Sequence, residues 1–163
     1  MSFAWHVECG SLVLATDPVK LKMVLKNLIG NAMKFTDQGL VAVWVRGARN
    51  GIEFRVADTG IGISPESCES IFEPFHQGNG SLADRGGGVG LGLYIVRRLL
   101  GILGGTIAVE SEVGRGSTFC VWLPVDSRQT GDQGQLPPLL VPVMVNGEPH
   151  PGSSAAPANG YGR

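Results

Sequence analysis

Charge of either sign is in short supply in this chain. Only 17% of its 163 residues are charged and the formal net charge is -1. That leaves no basic excess to neutralise a phosphate backbone, and so no electrostatic case for a nucleic-acid partner. Cysteine is nearly missing. Cys9, Cys68 and Cys120 are odd in number and do not stand at metal-ligand spacing, which argues against a disulfide framework and for reduced thiols in a cytosolic protein. No apolar run approaches the roughly 18 to 20 residues of a membrane span, and the N-terminus has no signal-peptide pattern. Internal repeats are missing too. What the chain has instead is glycine, 25 residues against a usual share of roughly 7%. With 43% hydrophobic residues there is enough for one domain with a sizeable core.

The glycines concentrate in 58–93. That stretch opens with Asp58-Thr59-Gly60-Ile61-Gly62-Ile63 and closes with Gly86-Gly87-Gly88-Val89-Gly90-Leu91-Gly92-Leu93. An acid fixed ahead of a glycine turn can accept a proton from the amino group of a base. A glycine cluster at the start of a helix can hold phosphates, because bare backbone N–H groups and the positive helix end face the anion. The pair of clusters points to a nucleotide-binding domain.

Taken in order, residues 3–8 and 11–15 read as short strands around Cys9-Gly10, and a pairing between the two is expected. Thr16-Asp17-Pro18 predicts a helix start, and the helix should run to Phe35. Leu21, Val24, Leu25, Leu28, Ala32 and Phe35 form its apolar stripe. Asn27, Asn31 and Lys34 form a second stripe, and two asparagines one turn apart inside a helix need a reason. Residues 40–48 and 52–58 read as a hairpin turning at Arg49-Asn50-Gly51. Period two places Asp58 on the same face as Ile52, Phe54 and Val56, where an acid is costly without a partner. Ser64-Pro65 caps a short helix, and 90–103 returns to helical spacing through Leu91, Tyr94, Ile95, Leu99 and Leu103, with Arg97 and Arg98 outside. Two more strands, 106–111 and 117–123, turn at Val113-Gly114-Arg115-Gly116. From 126 to 163 the chain is rich in Pro, Gly, Gln and Ser and reads as a mostly disordered tail or linker. The division is therefore 1–125 as the domain and 126–163 as the tail, with Pro137, Pro138 and Pro142 arguing against a central strand.

Five separated blocks together resemble the ATP-binding catalytic domain of bacterial sensor histidine kinases, in the wider group that includes DNA gyrase, MutL and the heat-shock chaperone ATPases. They are Asn27-Leu28-Ile29-Gly30-Asn31-Ala32-Met33-Lys34-Phe35-Thr36, the Asp58 turn, Ile71-Phe72-Glu73-Pro74-Phe75, Gly88-Val89-Gly90-Leu91-Gly92-Leu93, and Gly114-Arg115-Gly116-Ser117-Thr118-Phe119. Each alone is a weak signal; all five in the family's order are a strong one. The resemblance implies a two-layer α/β sandwich, one mixed and mainly antiparallel sheet covered on one face by helices. It implies ATP and Mg²⁺ as cofactors, with Asp58 accepting the adenine amino proton and Gly60, Gly62 and Ile63 lining the base. Asn31 would be the Mg²⁺ ligand, beside Asn27 and Lys34 as the catalytic set. Arg85, Gly88, Val89, Gly90, Leu91, Gly92 and Leu93 would meet the phosphates, 76–88 would form a lid, and Thr118 would bring a hydroxyl near adenine.

The gyrase-like and chaperone-like relatives carry a Glu where this chain has Asn27, and Asn cannot take the proton of an attacking water, so a hydrolysing motor is disfavoured. Histidine kinases hold their phosphorylated His on a helical hairpin, and no stretch of this chain forms one. The expectation is a domain excised from a longer protein, working in the cytoplasm or as the cytoplasmic part of a membrane-bound sensor. Its partners would be a histidine-containing dimerisation domain and a response regulator. Two rival readings share the fold: a serine-kinase anti-sigma regulator, and a non-catalytic module that only binds partners.

Overall fold

The computed structural model describes residues 1–8, 10, 13–68, 70–76, 89–126 and 139–140. Its longest helix forms where the capping residues place it. The helix α1 (Pro18–Phe35) begins at Asp17, whose Oδ1 accepts the N–H groups of Val19 at 2.9 Å and Lys20 at 3.0 Å. Pro18 fills the first turn, where its missing donor is not needed. Val24, Leu28 and Ala32, one turn apart, carry its buried stripe.

Six strands form one sheet in the order β1-β2-β3-β5-β4-β6. They are β1 (Ser2–Glu8), β2 (Leu40–Ala48), β3 (Gly51–Asp58), β4 (Thr106–Glu112), β5 (Gly116–Pro124) and β6 (Leu139–Leu140). The four central strands pair antiparallel, and the two edge pairs, β1 with β2 and β4 with β6, are parallel. The β2–β3 hairpin turns at Arg49-Asn50, with Asn50 left-handed at φ 55°, a conformation asparagine tolerates. The short helix α2 (Pro65–Cys68), a 3-10 turn (Ser70–Phe72) and the helix α3 (Gly92–Ile102) complete the described elements. The predicted sandwich, a mixed and mainly antiparallel sheet with helices on one face, is the observed one.

Strict alternation builds the core. Val41, Val43, Ile52, Phe54, Val56, Ile107, Val109, Phe119, Val121 and Leu123 face the helices and are buried. Phe72 wedges in beside Phe119, edge to face at 6.5 Å. The other face carries polar pairs instead: Arg46 with Glu53 at 2.7 Å, Arg55 with Glu110 at 3.5 Å, and His6 stacked on Trp44.

Three expectations need correction. Among the described residues, 3–8 show no pairing with 13–15: β1 runs parallel to β2 along its whole length, and Ala15 bridges to Asp126. A parallel neighbour needs a long crossover, and α1 supplies it, so the short Cys9-Gly10 break never had to be a hairpin. In α3 the deepest side chains are Val96 and Leu100, with Leu103 buried just past its end, while Ile95 and Leu99 are half-buried. Adjacent stripes of that helix are both apolar, so spacing alone could not choose between them. Arg97, expected outside with Arg98, is half-buried with its Nε covered.

Leu139 and Leu140, within the stretch read as tail, pair with Ile107 and Ala108 at the sheet edge, the position that proline-flanked residues tolerate. Apart from Asp126, the rest of the tail, the lid segment from 77 to 88, and Cys9 lie outside the described residues. Cys68 and Cys120 are free thiols, and burial pushes both above the usual thiol range.

Candidate nucleotide site

At the end of β3 the alternation that buries Ile52, Phe54 and Val56 also buries Asp58, which is 9% exposed. Its Oδ1 accepts the Gly60 N–H at 2.8 Å. Burial pushes the carboxyl above the usual range, and backbone N–H groups of Gly60 and Ser117 pull part of that back. A buried acid with two weak neutral donors still has acceptor capacity to offer a ligand amino group.

The glycines around Asp58 are there because backbone passes where side chains would go. A Cβ on Gly60 would lie 2.2 Å from the Phe35 carbonyl oxygen, and one on Gly62 2.1 Å from that of Glu112. The Ile61 N–H donates to the Phe35 carbonyl at 3.2 Å, and the Gly114 N–H to the Ile61 carbonyl at 2.8 Å. The turn after Asp58 is thus pinched between the end of α1 and the β4–β5 hairpin. Gly116, at φ 109°, closes the third side: its Cβ would sit 2.0 Å from the Asp58 carbonyl oxygen.

Across the site, α1 presents Asn27, Asn31 and Lys34. The Asn27 Nδ2 donates to the Met23 carbonyl at 2.8 Å, one turn back. Its Oδ1 faces the start of α3, where a Cβ on Gly92 would come within 2.9 Å. Asn31 is half-buried one turn on, and Lys34 lies exposed with its Nζ 5.1 Å above the Phe35 ring. At the start of α3, Leu91 makes no side-chain cap hydrogen bond, so the cap residue itself does not satisfy the first N–H groups of the helix. Gly90, at φ 73°, turns the chain into that helix, and its carbonyl accepts the Phe75 N–H at 3.1 Å.

The fold thus holds two groups of these residues: Asn27 against Gly92 between α1 and the start of α3, and Asp58 with Gly60, Gly62 and Gly116 between the end of α1 and the β4–β5 hairpin. Ile63 continues the turn, Leu91 and Leu93 are half-buried, and Val89 is exposed. Arg85 and Gly88 lie outside the described residues. Thr118 is not brought to this site. It pairs with Ala57, so it points to the opposite face of the sheet from Asp58, into an open cleft of about 430 Å³ shared with Trp44, Arg46, Glu53 and Arg55. The hydroxyl beside Asp58 belongs to Ser117, its direct partner across β3 and β5, 7% exposed. The signal for it was in the sequence: Ser117 shares parity with Phe119, Val121 and Leu123.

Among the described residues no three His, Cys, Asp or Glu side chains gather as a metal cage, and no helix is long and apolar enough to cross a membrane. The Asn27 amide is a hard oxygen donor at the start of α3, and Asn31 follows it one turn along α1. An amide oxygen suits a cation such as Mg²⁺, which takes few protein ligands and completes its shell with phosphate and water.

Comparison with known proteins agrees with this architecture. Residues 16–127 match the family described as histidine kinase-, DNA gyrase B- and HSP90-like ATPase. The sensor histidine kinase AruS of Pseudomonas aeruginosa is 49% identical over 123 residues, 72% of this chain and 12% of its own length. The autoinducer 2 sensor kinase/phosphatase LuxQ of Vibrio vulnificus is 42% identical over 126 residues, 74% of this chain and 15% of its own. The chain thus spans only a small part of the curated relatives it matches. Among solved structures, full-length ShkA in complex with AMPPNP superposes with a TM-score of 0.67 at 37% identity, covering 76% of this chain and 25% of that one. The catalytic domain of histidine kinase ThkA gives 0.66 at 28% identity, covering 77% and 80%. The chain belongs to the histidine kinase-, DNA gyrase B- and HSP90-like ATPase family, in its branch of ATP-binding catalytic domains of sensor histidine kinases.

Proposed function

We propose that this domain binds Mg²⁺-ATP and passes the γ-phosphoryl group to a histidine on a separate dimerisation domain, from which a response regulator takes it. The observation that carries the reading is the buried Asp58 carboxylate at the edge of the glycine turn, which has no charged partner among the described residues and keeps acceptor capacity for an adenine amino group. Gly60, Gly62 and Ile63 let backbone lie along the base. Asn27, Asn31 and Lys34 face the phosphates from α1, and Val89, Gly90, Leu91, Gly92 and Leu93 form the helix start that meets them from the other side, with Arg85 and Gly88 preceding it in sequence. The Asn27 side chain lying against Gly92 supports this, because it brings amide oxygen and helix N-terminus to one place.

A Mg²⁺ ion held by the Asn31 amide oxygen would offset phosphate charge in the transition state. The domain's own contribution is positioning and charge stabilisation, which is most of what phosphoryl transfer asks of a protein. Asn27, unlike a carboxylate, does not activate water, which fits transfer to a side chain over hydrolysis. The site of action is the cytoplasm, where ATP and the response regulator would meet it, and the net charge of -1 fits the absence of a nucleic-acid partner.

The test is transfer of labelled γ-phosphate to a supplied histidine-kinase dimerisation domain. Label on that domain's histidine, lost in Asn31→Ala, is expected. Release of inorganic phosphate at a rate unaffected by the acceptor would overturn the reading.

A further inference from the structure

The first glycine turn can read a base only if its far end is held at a fixed distance from Asp58. At Ile63 that end is held by the Ser111 hydroxyl. Ser111 on β4 is in register with Ser117 on β5, which is in register with Asp58 on β3. The Ser111 Oγ accepts the Ile63 N–H at 2.8 Å, across 48 residues of sequence. It also lies 2.9 Å from the Gly116 carbonyl oxygen and 3.0 Å from the Ser117 hydroxyl. The donors and acceptors close: the Ser111 hydroxyl donates to Gly116, and its lone pairs take Ile63 and Ser117. Gly116 is the residue packed against the Asp58 carbonyl. One oxygen thus ties the end of the turn, the backbone beside Asp58 and the hydroxyl beside Asp58. The backbone hydrogen bond between turn and hairpin, from the Gly114 N–H to the Ile61 carbonyl, lies nearer the hairpin tip.

We propose that Ser111 is a positioning residue for base recognition. Without touching nucleotide, it fixes the spacing between the Asp58 carboxylate and the backbone of residues 60–63. It thereby sets the preference for a purine with a 6-amino group over one with a 6-oxo group. This rests on the adenine-binding reading above. A serine that only satisfied a turn would alter stability and leave purine preference alone.

The test uses the full chain and its Ser111→Ala, Ser111→Cys and Ser111→Thr variants, titrated with ATP and with inosine triphosphate in the presence of Mg²⁺. Melting temperature and exchange of the Ile63 amide hydrogen are followed alongside. Losing one hydrogen bond to the turn should weaken ATP binding about three- to tenfold in Ser111→Ala. The ATP-over-inosine preference should fall, the Ile63 amide should exchange faster, Thr should restore all three, and Cys should fall between. Should Ser111→Ala not fold, Ser111→Cys carries the comparison. A folded Ala or Cys variant with unchanged purine preference, or a Thr variant no better than Ala, overturns the proposal. Wild-type chain that binds neither nucleotide overturns the adenine reading itself, while an Ile63 amide equally protected with and without the Ser111 hydroxyl overturns the clamp whether or not nucleotide binds.

Discussion

Asp58 and Ser117 are direct partners across β3 and β5, and both are buried on the face that the helices cover. Thr118, one residue on, is on the other side of the sheet beside Ala57. A strand cannot give both hydroxyls to one site, because successive side chains point to opposite faces. Ser117→Ala should therefore weaken ATP-analogue binding about three- to tenfold, the loss of one hydrogen bond near the base. Thr118→Ala should leave affinity unchanged. Parallel titrations of the two variants decide it, and the reverse order would mean that nucleotide lies on the open face.

The burial of Asp58 disfavours its charged form in the folded domain. Its folded-state carboxyl is raised above the unfolded one, mainly by desolvation. Such a group favours folding fully below the unfolded value, and that contribution is lost as pH rises through the folded value. Wild-type stability should thus fall as pH climbs out of the ordinary carboxylate range toward neutrality. Asp58→Asn keeps an oxygen for the Gly60 N–H and carries no charge, so it should lack that slope. Denaturant midpoints from about pH 4 to about pH 8 test this; an Asp58→Asn variant no more stable than wild type near neutrality would refute it.

Two glycines should behave oppositely on substitution. Gly116 is left-handed and its Cβ would strike the Asp58 backbone, so Gly116→Ala should cost about 3 kcal/mol or more of stability. Gly92 lies in α3, and among the described residues its Cβ would meet only the movable end of Asn27. Gly92→Ala should keep or slightly raise the melting temperature, since alanine is the better helix former by about 1 kcal/mol. It should nonetheless weaken Mg²⁺-ATP binding by displacing the Asn27 amide. Melting curves paired with titrations separate the two effects.

The cap at Asp17 is a purely structural counterpart. Asp17→Ala removes the acceptor for the Val19 and Lys20 N–H groups and should cost about 1 kcal/mol. Nucleotide affinity of the folded fraction should not change. Urea denaturation and titration of the same sample check both statements.

Much of this was written in local patterns. The Thr16-Asp17-Pro18 start, the Val24–Leu28–Ala32 stripe and the alternation through Ile52, Phe54, Val56 and Asp58 are short-range features, and the structure reproduces each. What escaped was long-range. The partner of β1 is set by α1 bringing β2 alongside, and no local signal at residues 3–8 encodes it. Ser111 was silent for the same reason: its partners Ile63 and Gly116 meet it only after β3, β5 and β4 have assembled. Thr118 was a different kind of miss, since parity with Phe119 was available and points to Ser117.

The central claim is that Asp58 reads adenine while Asn31 engages the metal-bound phosphates. Calorimetric titration of the wild-type chain and Asp58→Asn with a non-hydrolysable ATP analogue, each with and without Mg²⁺, tests it most directly. The account predicts saturable binding to wild type that Mg²⁺ strengthens, and loss of that binding in a folded Asp58→Asn. Equal affinity in the two proteins would contradict the adenine assignment, and indifference to Mg²⁺ would contradict the role given to Asn31.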